Sequence, residues 1–137
     1  PVENAGPLAG LLAGLAALES VCPAVMVAAC DHPLLTPVFL RRLIGAWDPS
    51  LPGVIVVHED RSYPLLGVYR TSLRAELERR LSAGERRAEA FAHAGGLRRV
   101  PARELLPDAR EIDRVLLNLN DGDAYDRALR LAGAVEP

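Results

Sequence analysis

Apolar residues recur along this chain with two alternating periods. Leu8, Leu11, Leu12, Leu15 and Leu18 fall on one helical face, and Pro7 suits a first turn, so a helix is predicted over residues 7–19. Val25-Met26-Val27-Ala28-Ala29-Cys30 then forms a continuous apolar run, the pattern of a strand buried on both faces. Thr36-Pro37 supplies a cap and first-turn proline for a second helix striped by Leu40, Leu43, Ile44 and Trp47. After the turn-rich segment from Asp48 to Gly53, Val54-Ile55-Val56-Val57 reads as another buried strand. Tyr63 to Tyr69, with Pro64 and Gly67 inside it, reads as an edge or antiparallel strand. Ser72 is the expected cap of a helix carrying Leu73, Leu77 and Leu81 that stops near Gly84, and a charged helix from Glu85 to Ala94 is expected to end at Gly95-Gly96.

Further on, Leu97 to Val100 is a short strand candidate, Pro101 to Asp113 a loop or single helical turn, and Val115-Leu116-Leu117 a better strand candidate. Tyr125, Ala128, Leu129 and Ala132 mark a terminal helix that Asp121 can cap. The regular alternation of helix and strand predicts a three-layer α/β fold with a mainly parallel, Rossmann-like sheet. No repeat or linker divides the chain, so residues 1–137 are expected to form one domain. Open sheets of this class bind ligands at the carboxyl ends of their strands, which directs attention to Asp31, just past the first strand.

Composition narrows the picture. With 137 residues, half of them hydrophobic, the chain can bury roughly two-thirds of its unfolded surface. A net charge of −2 argues against nucleic acid or membrane binding through bulk charge. The uncharged run from Gly6 to Leu18 is too short to span a bilayer, and Glu3 stands where a signal peptide needs basic residues, so a soluble cytoplasmic protein is expected. All 16 basic side chains are arginine, which matters wherever a flexible ammonium is needed to reach a phosphate. Cys22 and Cys30 bracket the first strand without zinc-ligand spacing and are expected as buried, reduced thiols. His32 lacks a partner at helical spacing and reads as a loop histidine near an anion site.

Three short motifs carry chemistry. Phosphoryl and nucleotidyl transfer need a divalent cation, and Mg2+ takes only one or two protein carboxylates while keeping several waters, so Asp31 at a strand end suffices; an Asp there is also a common turn former. Gly6-Pro7-Leu8-Ala9-Gly10 offers backbone at a helix start, where free amides favour anions, although glycines in such a helix equally serve close packing. Asn118-Leu119-Asn120 presents two amides on one side of an extended segment, suited to a phosphate, a ribose, a metal-bound water or simply a turn. The pairs Arg41-Arg42, Arg79-Arg80, Arg86-Arg87 and Arg98-Arg99 either meet a polyanionic substrate or are solvated faces with Glu partners, as Glu76 and Arg80 at i,i+4 suggest.

The order of these motifs, with Cys30-Asp31-His32-Pro33 and Pro64-Leu65-Leu66-Gly67-Val68-Tyr69 between them, resembles the molybdenum cofactor guanylyltransferases of the α/β nucleotidyltransferase superfamily. The likeness runs from Gly6 to about Leu131; Cys-Asp-x-Pro is shared across the superfamily, and its combination with Gly-Pro-Leu-Ala-Gly and Asn-x-Asn favours the guanylyl branch. The resemblance implies transfer of GMP from GTP to the terminal phosphate of molybdopterin, with Mg2+ as cofactor and pyrophosphate leaving. It also implies molybdoenzymes or cofactor-delivery proteins as partners. Asp31 then matches the family's magnesium ligand, Gly6 and Gly10 lie against the nucleotide, and Asn118 and Asn120 face the substrate. The family's Asn-Thr-Pro-Glu-Asp reads Asn120-Asp121-Gly122-Asp123-Ala124 here, so its acidic residues are given no role. The family's first strand and its Gly-rich phosphate loop, with an Arg and a Lys, would precede Pro1, so the chain looks like the carboxy-terminal two-thirds of such an enzyme. The alternatives are a cytidylyl enzyme for the same cofactor, a sugar-phosphate nucleotidyltransferase, or a noncatalytic pterin-binding module without the phosphate loop.

Overall fold

Val54, Ile55 and Val56 are fully buried, but alternate residues of a strand point to opposite faces, so these three enter two different cores. Val54 and Val56 pack with Phe39, Leu43 and Leu66, whereas Ile55 packs with Leu8, Leu15 and Tyr69. That division is the three-layer architecture expected from the sequence. It is seen in a computed structural model that describes residues 6–119 and 122–133.

The strands are β1 (Ala24–Ala28), β2 (Gly53–His58), β3 (Arg61–Arg70) and β4 (Arg98–Pro101), in the order β1-β3-β2-β4. β3 runs antiparallel to both β1 and β2, and β4 runs parallel to β2, so three of the four strands share one direction. The Tyr63 to Tyr69 segment is therefore antiparallel, as one of its two readings had it, but it lies inside the sheet and not at an edge. Pro64 is tolerated there because the β2–β3 register breaks beside it: Ile55 pairs with Gly67 and Val56 with Tyr63, so Pro64, Leu65 and Leu66 bulge away from β2. The buried Tyr69 hydroxyl donates to the Pro64 carbonyl and pins the bulge. Gly67 is required beside it, since a Cβ at this position would meet the Val54 carbonyl oxygen at 2.1 Å.

α1 (Pro7–Leu18), α3 (Arg74–Ser82) and α4 (Ala88–Ala94) bury Leu8, Leu11, Leu15, Leu77, Leu81 and Phe91 on one face, each such side chain contributing about 1.5–3 kcal/mol. α2 (Pro37–Gly45), α5 (Ala102–Leu105) and α6 (Ala109–Val115) cover the other, with Phe39, Leu43, Leu105, Ile112 and Val115. Thr36 caps α2 by accepting from the Phe39 amide at 3.2 Å, as its sequence predicts. α7 (Gly122–Gly133) follows, and Asp121, its predicted cap, lies outside the described residues.

Other expectations are corrected. Ser72 caps nothing: it sits inside a 3-10 turn, Thr71–Leu73, that runs directly into α3. The helix predicted from Glu85 starts only at Ala88, because the Glu85 carboxylate accepts from the Arg86 and Arg87 amides and holds a turn. The segment read as loop holds α5 and most of α6, and the strand predicted at 115–117 does not form. Ile112, Val115 and Leu116 are buried at i, i+3 and i+4, and Asp108 caps α6 by accepting from the Arg110 amide. The cysteines are free thiols, but Cys22 is half-buried and Cys30 exposed.

Candidate functional site

β1, β2 and β4 end at one rim of the sheet, and β3, running the other way, begins there, so Asp31, His32 and Arg61 to Leu65 are gathered at one place. The Ala29 amide donates to the Leu65 carbonyl at 2.9 Å, carrying the β1–β3 ladder past the end of β1. The Leu119 amide donates to the Asp31 carbonyl, also at 2.9 Å, and brings the Asn118 segment to the same rim.

A cleft of about 310 Å3 opens there, lined by Asp31, His32, Arg61, Tyr63 and Asn118 among others. Three of its polar atoms, Asp31 Oδ1, His32 Nδ1 and Asn118 Oδ1, are buried without a hydrogen-bond partner among the described residues. A buried polar group left unpaired costs about 1–3 kcal/mol, so three in one cleft mark a place built to meet a ligand, an ion or water. The Asp31 side chain is 42% exposed overall, which leaves its other face open to a ligand. His32 is 8% exposed; its ring lies edge-on to Tyr63, with centroids 5.7 Å apart, and its Nε2 stands 3.8 Å from Asp31 Oδ1.

The orphaned oxygens of Asp31 and Asn118 form a hard donor set suited to Mg2+ with water completing the shell. Among the described residues, no group of three or more His, Cys, Asp or Glu could hold a metal ion, so a site of the all-protein kind is not formed. One carboxylate is enough protein ligation for a magnesium site that keeps most of its waters.

Of the predicted glycines, only Gly10 lines a hollow beside this cleft. Gly10 lines a second, more apolar groove of about 420 Å3 between α1 and β1, which shares Pro7, Ala29 and Leu65 with the Asp31 cleft. No atom comes within 4 Å of a Cβ placed on Gly10 or Gly14, so close packing within the described chain does not explain either glycine. Gly6 caps α1 at φ 63° and ψ −151°, a conformation open to glycine, and lines neither hollow. Asn120 lies outside the described residues.

The arginine pairs serve mainly structure. Glu76 accepts from Arg79 and Arg80, whose hydrogen bonds hold its carboxyl down at about 2. Arg42 donates to the Leu105 carbonyl, Arg86 to the Leu81 carbonyl at the end of α3, and Arg99 to Glu89 at 2.6 Å. Glu89 also accepts from Ser62, and these bonds, that of Ser62 first, hold its carboxyl below the usual carboxylate range while clipping α4 to β3 and β4. Sequence reasoning missed Arg61 and Tyr63, which reach the cleft only through the bulge and the return of β3. The sole sequence signal was their place just before Pro64.

This rim, with a carboxylate past a strand end beside a helix start, corresponds to the edge where open α/β sheets bind their ligands. Residues 1–100 match the model of the MobA-like NTP transferase domain, and the chain belongs to that family. The fold agrees: a solved molybdopterin-guanine dinucleotide biosynthesis protein A from Archaeoglobus fulgidus superposes with a TM-score of 0.79 at 27% identity, covering 95% of this chain and 64% of that one. The molybdenum cofactor guanylyltransferase of Burkholderia vietnamiensis is 38% identical over 96 residues, covering 66% of this chain and 46% of that protein. A probable molybdenum cofactor guanylyltransferase of Chloroflexus aggregans is 37% identical over 125 residues, covering 88% and 57%. The chain thus spans about half the length of the curated relatives it matches. No helix among the described residues is long and apolar enough to cross a membrane.

Proposed function

We propose that this chain carries the Asp31 face of a nucleotidyltransferase acting in molybdenum cofactor synthesis, one that moves GMP from GTP to molybdopterin with release of pyrophosphate. The observation that carries the reading is the pair of orphaned oxygens, Asp31 Oδ1 and Asn118 Oδ1, in one cleft at the end of β1. Family membership and relatives named as guanylyltransferases support it.

Mg2+, when bound, neutralises phosphate charge so that the leaving pyrophosphate can depart. Asp31 and Asn118 would hold it, and the Leu119–Asp31 hydrogen bond fixes the spacing of the two segments that carry them. The bare trough at Gly10 and Gly14 admits the flat guanine nucleotide, with Gly6 opening the helix beside it. Asn118 and Asn120 serve the pterin side. Nucleotidyl transfer depends on positioning and charge stabilisation, so removing the carboxylate should cost about 100-fold or more in turnover.

The test is Asp31→Asn, assayed with GTP and molybdopterin and checked for an unchanged thermal melt. Loss of turnover in a folded variant supports the mechanism, and full turnover removes Asp31 from it. Preference for CTP over GTP would move the protein to the cytidylyl branch. Pterin binding without turnover of any nucleotide would leave a binding module.

A further inference from the structure

We propose that Arg61 receives the phosphate monoester of the acceptor substrate in the Asp31 cleft, an inference that rests on the nucleotidyltransferase reading for the identity of the ligand but not for its charge. The cleft presents acceptors in excess: Asp31 Oδ1 and Asn118 Oδ1 are both buried without a hydrogen-bond partner among the described residues. An anion entering it needs a donor. Ser62, on the same wall, gives its hydroxyl to Glu89. Arg61 supplies the only guanidinium of the lining, and it makes no side-chain hydrogen bond or ion pair among the described residues, whereas Arg80, Arg86 and Arg99 are each held by a protein oxygen.

Its backbone is well fixed for the task. Arg61 opens β3 opposite His58 of β2, across the tight turn at Glu59-Asp60, and the bulge that follows sets it apart from the core register. A guanidinium offers a planar fork that matches two phosphate oxygens, which an ammonium does not. His32 is an independent sign of a ligand: it is more than nine-tenths buried, lines the same cleft and leaves Nδ1 without a partner. Position favours the acceptor: the phosphates of both substrates would meet in the Asp31 cleft, while the guanine end of the nucleotide is assigned elsewhere. Arg61 lines the Asp31 cleft and not the Gly10 groove assigned to the nucleotide.

Two readouts test this on the whole protein. The first is binding of inorganic phosphate, followed through the amide resonances of Ser62, Ala88 and Asn118, in wild type, Arg61→Gln and Arg103→Gln. Arg103 does not line the cleft and controls for net charge. Phosphate affinity should fall about 10- to 100-fold in Arg61→Gln and stay unchanged in Arg103→Gln. Equal affinity in all three proteins, or shifts confined to other residues, overturns the proposal whether or not the protein turns over GTP. The second is steady-state kinetics. Arg61→Gln should raise the KM for the phosphorylated acceptor by a similar factor and leave the KM for GTP unchanged, with Arg61→Lys recovering only part of the loss. A raised GTP KM with an unchanged acceptor KM would assign the arginine to the nucleotide and overturn the proposal, while leaving the enzymatic reading intact.

Discussion

Gly67→Ala and Gly10→Ala add the same methyl group and should have opposite effects on stability. At Gly67 the new Cβ would lie 2.1 Å from the Val54 carbonyl oxygen and 3.1 Å from the Ile55 Cα, both backbone atoms of the neighbouring strand. Restoring a normal contact needs a separation of about 1 Å between β2 and β3. β3 is paired on both sides, so this movement disturbs roughly two ladder hydrogen bonds at about 0.5–1.5 kcal/mol each, on top of about 1–3 kcal/mol for overpacking. The sum, about 2–6 kcal/mol, is a large part of the roughly 5–15 kcal/mol typical of a domain. Urea titration followed by the fluorescence of the single tryptophan, Trp47, should show the midpoint falling by about 1–3 M. At Gly10 the methyl meets nothing within 4 Å, and helix propensity alone predicts a gain of about 1 kcal/mol with a raised midpoint. On the proposed function the same methyl stands in the nucleotide groove, so Gly10→Ala should be more stable yet bind GTP more weakly. A Gly67→Ala midpoint lowered by less than about 0.3 M would refute the close-approach argument.

Two further outcomes follow from the core and from its acid limit. Tyr69→Phe leaves the Pro64 carbonyl without its donor, so stability should drop by about 1–3 kcal/mol, and amide exchange should quicken at Leu65 and Leu66 before it does in β4; unchanged exchange there would deny the hydroxyl its pinning role. Glu89 has a folded pKa below its ordinary 4.5, so its contribution is fully present above pH 4.5 and is lost as pH falls through the lowered value. Glu89→Gln should therefore lose stability less steeply than wild type below pH 4.5, and parallel acid profiles for the two proteins would count against the Ser62 and Arg99 bonds as its cause.

Much of the fold was legible in local patterns because local causes act there. Pro7, Thr36 and Pro37 start their helices where expected, and the apolar runs at 25–30 and 54–57 fall in β1 and β2, but β1 is a half-exposed edge strand and not one buried on both faces, because its outer side has no partner strand among the described residues. Val115-Leu116-Leu117 misled because three consecutive apolar residues carry no period, and only the wider spacing from Ile112, with Asp108 as cap, declares a helix. The position of β3 was not legible either. Its place between β1 and β2 is a tertiary fact, made possible by a bulge that no local pattern announces. The same limit applies to the site. Asp31 and Asn118 were readable from motif order, whereas Arg61 and Tyr63 join them only when the strand returns.

The bulge at Pro64 to Leu66 also uncouples two kinds of change. On its far side, Val68 and Tyr69 are locked into the cores, where altered volume is felt at once. On its near side, the hairpin tip from His58 to Tyr63 is registered only against β2, beside the cleft. The turn at Glu59-Asp60 can be exchanged or lengthened without sliding any core side chain to the wrong face of the sheet. Divergence in what the cleft accepts can therefore accumulate at the hairpin while the layers beneath it stay the same.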